Sequence, residues 1–95
     1  MVKHIVSFKL SGPQRLDYAK RFKDALLALP PQISVLKSIE VGINQNPAED
    51  WDVVLTAILP SMADVAVYAN HPAHVAAAAI IAPVKQLRAC VDYEI

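Results

Sequence analysis

The chain has 95 residues, with nine Lys plus Arg set against nine Asp plus Glu, so its formal net charge is zero. A balanced charge with no basic cluster interleaved with aromatics excludes a nucleic-acid footprint and gives no pull toward an anionic membrane. Hydrophobic residues make up 55%, above the roughly 45–50% of ordinary soluble domains, although a small domain has more surface to keep wet.

The length is that of one domain, residues 1–95. The apolar excess calls for cover from a partner subunit, with a ligand pocket as a second sink. The one cysteine, Cys90, cannot close an internal disulfide or build a cysteine-ligated structural zinc site. With no secretory leader pattern at the N-terminus, the expectation is a reducing, cytoplasmic location. The longest apolar run, HVAAAAIIAPV, is too short to span a membrane.

In chain order, Val2 to Leu10 alternates: Val2, His4, Val6, Phe8 and Leu10 share one face, which predicts a strand with His4 on the core side. SGPQ reads as a turn. Gln14 to Leu29 then repeats Leu16, Ala19, Phe22, Leu26 and Leu29 at helical spacing, and Pro30-Pro31 stops it. Ile33 to Asn44 reads as a second strand, and Gly42 within it predicts a bulge or a close approach of another backbone. Trp51 to Leu59 is a third strand, apolar at nearly every position past Asp52, so both of its faces are expected to be buried, one under helices and the other against a partner or a ligand. Trp51 itself reads as an interface anchor.

Ser61, followed three residues later by Asp64, is a capping-box variant that opens a short helix running to about Ala69. Pro72 disfavours helical geometry at His71 and suits the first position of a new helix, so His71 should end one helix and cap the next. Leu87 to Ile95 alternates as the last strand. The order β-α-β-β-α-β predicts an α+β, ferredoxin-like fold with a four-stranded antiparallel sheet and helices on one face.

One segment carries the chemistry. YANHPAH, Tyr68 to His74, places a phenol and two of the chain's three histidines beside a run of alanines. A neutral imidazole is the usual general base near pH 7. His74, in the first turn of a helix and partly buried, is kept neutral by both the helix dipole and desolvation. Tyr68 can donate to an oxyanion. The competing structural reading makes Tyr68 a core residue, His71 a cap, and His4 and His74 satisfied interior imidazoles. Pro72 separates His71 from His74 too abruptly for a shared helical face, so no metal site is expected. Cys90 reads as a small, partly buried hydrophobe.

Together, VKHIVSFKL, the Leu-Pro before the second strand, SIEVGIN, the Trp-Asp opening of the third strand, YANHPAH and the final VDY resemble the stress-responsive dimeric α/β-barrel (Dabb) family over nearly the whole chain. The resemblance implies a homodimer in which two open sheet faces pair into a barrel. The Tyr-x-x-His-Pro-x-His segment is similar to that of the family's plant polyketide cyclase branch, which makes olivetolic acid. That likeness implies Tyr68 and His74 as catalytic residues and His4 and His71 as substrate-binding residues. The alanines 76–79 depart from that branch's pocket wall. Two functions follow as expectations. One is a cofactor-independent cyclase, isomerase or lyase acting on a polyketide-like or other carbonyl small molecule. The other is a non-catalytic homodimer, either binding a small molecule or serving a stress-associated structural role.

Overall fold

The computed structural model describes all residues, 1–95. Its elements are β1 (Val2–Leu10), α1 (Arg15–Leu27), β2 (Ser38–Ile43), β3 (Val53–Leu59), α2 (Met62–Asn70), α3 (Pro72–Ile80) and β4 (Lys85–Glu94). The four strands form one sheet in the order β2-β3-β1-β4, every neighbouring pair antiparallel. This is the expected ferredoxin-like arrangement, with the second helical segment divided in two at His71.

The helices cover one sheet face. The β1 row Val2, His4, Val6, Phe8 and Leu10 is buried beneath them, as is the β3 row Val53, Leu55, Ala57 and Leu59. Phe22 and Leu26 of α1 meet these rows, and Phe22 packs edge-on against Phe8 with ring centroids 5.3 Å apart. Each such side chain contributes about 1.5–3 kcal/mol by leaving water. The third strand is not buried on both faces within one chain: Val54 is 41% exposed, and Thr56 and Ile58 are half-covered.

Two sequence expectations need correction. The segment from Ile33 to Lys37 is not strand. Backbone bonds from Gln32 and Ile33 to Leu29, and from Leu36 to Ile33, wind it into turns, so Ile33 and Leu36 bury together three residues apart. Gly42 makes no bulge, since its pairing with Val54 is in register. A Cβ there would lie 3.4 Å from Val54 Cγ1, so the close approach is to a neighbouring side chain. The sheet's one register shift lies between Lys9 and Leu10, opposite β4.

Caps and turns fix the ends. Gly12, with φ of 93°, turns the chain from β1 toward α1. The Asp52 carboxylate accepts from the Leu10 backbone N–H at 2.7 Å and from Arg15 Nε at 3.3 Å, tying the end of β1 to the start of α1. Ser61 caps α2 by accepting from the Asp64 N–H. His71, at φ −65° and ψ 136°, closes α2 and opens α3.

Candidate functional site

Alternation in β4 is turned the opposite way to that in β1. Its apolar row, Leu87, Ala89, Val91, Tyr93 and Ile95, faces away from the helices, and its polar row faces toward them. Register sets Asp92 opposite His4, Cys90 opposite Val6 and Arg88 opposite Phe8. A cavity of about 320 Å³ lies between this polar row, β1 and the helices α2 and α3. Its polar wall consists of His4, His74, Lys85, Arg88, Cys90 and Asp92. Val6, Phe8, Phe22, Leu55 and Ile81 make it otherwise apolar. A second hollow of about 390 Å³ lies against the open sheet face beside Gly42, Trp51 and Val54; no imidazole lines it.

The three histidines have different roles. His74 sits in the first turn of α3, and its Nδ1 lies 2.9 Å from the Ala69 carbonyl oxygen. A carbonyl only accepts, so Nδ1 carries the proton and Nε2 keeps a free lone pair. Burial pushes His74 below the ordinary imidazole value. The bond to Ala69 opposes that shift, and His4 and Arg88 add to it. The imidazole is therefore neutral near pH 7.

His4 is almost fully buried, and its Nδ1 donates to Asp92 Oδ1 at 2.5 Å. The Cys90 thiol donates to the other oxygen of the same carboxylate at 3.7 Å. His71 is different again: its Nδ1 accepts from the Ala73 backbone N–H at 3.1 Å, completing the cap of α3. The structure thus brings His4 and His74 to the cavity wall and leaves His71 outside it.

Tyr68 stands behind the wall, 1% exposed. Its ring meets His4 edge-on at 5.9 Å and tilts against His74 at 4.5 Å, centroid to centroid. Its hydroxyl is the one buried side-chain polar atom with no hydrogen-bond partner in the protein. Burial pushes this phenol up to about 12, so it remains a donor at any physiological pH.

His4, Cys90 and Asp92 bring an imidazole nitrogen, a thiol and a carboxylate within 4.8 Å of one another, the chain's one donor set able to hold a metal. Burial and the Asp92 charge push the Cys90 thiol up, away from the thiolate a metal needs, and the nearby Arg88 charge repels a cation. The sequence reading missed Asp92, Arg88 and Lys85 as wall residues and took Cys90 for a hydrophobe. The signal that could have found them is the alternation of LRACVDYEI, once its polar row is turned inward.

An antiparallel ferredoxin-like domain with an imidazole-lined cavity under its helices is the class of protein these features define. The chain belongs to the stress responsive A/B barrel domain family, Dabb, which matches residues 2–95. Among solved structures, it is similar to a protein of unknown function from Bacteroides fragilis, described as dimeric and ferredoxin-like. The two are 49% identical over 99% of this chain and 95% of that one, with a TM-score of 0.96. A dimeric ferredoxin-like protein of unknown function from Thermobifida fusca is 30% identical over 99% and 90% of the two chains, with a TM-score of 0.86. In fold alone the chain is also similar to a hydroxynitrile lyase from Passiflora edulis, 17% identical over 99% and 92%, with a TM-score of 0.81. No curated protein matches the chain. No helix is long and apolar enough to cross a membrane.

Proposed function

We propose that the protein is a cofactor-independent acid–base catalyst of the cyclase, isomerase or lyase kind, acting on a small carbonyl compound held in the cavity of about 320 Å³. The observation that carries this reading is the Tyr68 hydroxyl, buried without a partner on a ring set against both cavity imidazoles. An unpartnered buried hydroxyl costs on the order of 1–3 kcal/mol. A fold keeps that cost most readily where the hydroxyl acts on a ligand.

In this mechanism His74 Nε2 takes a proton from the carbon next to the substrate carbonyl. The electron pair moves onto the carbonyl oxygen, and Tyr68, which lies behind the His4 and His74 rings, donates a hydrogen bond to the developing enolate when the substrate enters between those rings. In an isomerisation the imidazolium returns the proton to a different atom. In an aldol cyclisation the enolate carbon attacks a second carbonyl of the same molecule, and the new alkoxide takes the proton. Neither route changes oxidation state. His4, held in one tautomer by Asp92, presents its other nitrogen to the substrate. His71 acts indirectly, by setting the start of the helix that carries His74.

The functional unit in this reading is a homodimer. Val54, Leu87, Val91 and Tyr93 lie exposed on the sheet face opposite the helices, an apolar surface suited to a second copy. The two solved relatives that are 49% and 30% identical are both described as dimeric. Turnover of a panel of small β-dicarbonyl compounds by wild type, Tyr68→Phe and His74→Gln tests the chemistry. Loss of about 10²–10⁴ in kcat/KM on removing His74 is the expected size of a general-base effect. Equal rates in all three proteins would leave the cavity a binding site without catalysis.

A further inference from the structure

Lys9–Asp50 and Arg15–Asp52 are the chain's two Lys/Arg–carboxylate pairs, and His4 is hydrogen-bonded to Asp92. None of them uses Lys85 or Arg88, the two cations of the cavity wall. The one acid in that wall, Asp92, is already engaged by His4 and Cys90. Exposed as it is on one side, Arg88 still lines the same cavity as His74 and Cys90. The cavity therefore has an apolar lining, the imidazoles of His4 and His74, and two cations that no carboxylate pairs. Apolar pockets commonly take orientation and specificity from a few such polar groups.

We propose that the cavity selects an anionic amphiphile, a small organic acid whose carboxylate is held by Arg88 and Lys85 and whose apolar body lies against Val6, Phe8 and Phe22. Arg88 is the principal anchor, since a guanidinium offers a planar pair of donors that a carboxylate accepts in parallel. Lys85, at the bulged start of β4, adds a second charge. Both cations line the same cavity as His74, so an acid they hold shares that cavity with the imidazole. Calling this acid the substrate rests on the catalytic reading above; the binding preference itself does not.

The test compares octanoate with octanamide, matched in shape and differing in charge, by isothermal titration at pH 8 and low salt. Wild type should bind octanoate about tenfold or more tightly over octanamide, the order expected of charge-assisted hydrogen bonds. Arg88→Gln should remove most of that preference, and Arg88→Gln with Lys85→Gln all of it. Both side chains are exposed on an edge strand, so the variants should keep the wild-type melting temperature. His74→Gln should retain the acid preference whether or not it loses turnover, which separates this inference from the catalytic one. Equal binding of the two probes, binding of neither, or a preference unchanged in the double variant would overturn it.

Discussion

The Tyr68 and His74 rings lie 4.5 Å apart at an interplanar angle of 56°, yet only His74 has its polar atom satisfied by the protein. Their shifts run in opposite directions from the same cause. Burial disfavours the charged form of each, raising the phenol and lowering the imidazole. The pair is thus a neutral donor beside a neutral acceptor near pH 7.

Tyr68→Phe removes a hydroxyl that has no partner. At pH 7 the variant should match or exceed the wild type, with a gain of up to about 1–3 kcal/mol. At alkaline pH the sign is sharper. The unfolded phenol ionises near 10, while the folded one holds its proton to about 12. Wild-type stability is therefore lost as pH rises from 10 to 12, by at most roughly 3 kcal/mol relative to Tyr68→Phe. Urea melts of both proteins across that window, at equal protomer concentration, check it.

His74 behaves oppositely. Its folded value is below that of the free imidazole, so its contribution is complete above about pH 6.5 and fades as pH falls through the folded value. Wild type should lose more stability between pH 7 and 5 than His74→Gln does. Parallel melting curves of the two proteins over that range would refute the assignment.

Asp92→Ala should destabilise by about 1–3 kcal/mol, because it orphans the buried Nδ1–H of His4. Asp92→Asn keeps an acceptor and should recover most of that loss. Nitrogen NMR of His4 should show its fixed tautomer lost in the alanine variant and kept in the asparagine one.

Asp52→Ala removes the acceptor of the Leu10 N–H at 2.7 Å and one partner of Arg15. Leu10 is 3% exposed, so its amide cannot turn to water, and a loss of about 1–3 kcal/mol is expected. Hydrogen exchange at the Leu10 amide should speed up with it.

Val91→Asp tests the dimer. Val91 is 62% exposed in the single chain, at the centre of the apolar β4 row. A carboxylate there would be buried unpaired in a sheet-to-sheet interface. Sedimentation should show wild-type dimers and variant monomers at the same micromolar concentration. A dimeric variant would move the interface elsewhere.

Much of the fold was legible because its signals are local. Period-2 alternation marked β1 and β4, Pro30-Pro31 marked the end of α1, and Ser61 marked the start of α2. The break at His71-Pro72 is fixed by proline sterics and needed no tertiary information. Ile33 to Lys37 failed because a short apolar run with two buried positions three apart satisfies a turn as well as a strand. The choice was made by packing against the end of α1.

The sequence by itself determined the element order, the cap at His71, the core side of β1 and therefore the inward placement of His4. It also placed Tyr68 and His74 near one another, through six residues of helix and cap. Only the tertiary structure decided which row of β4 faces the helices, because alternation reports two faces and not which of them is inside. That decision turned Arg88, Cys90 and Asp92 toward the cavity and left Val91 and Tyr93 on the open sheet. Asp92 meets His4 across 88 positions of chain, a contact set by strand register and invisible to any local pattern.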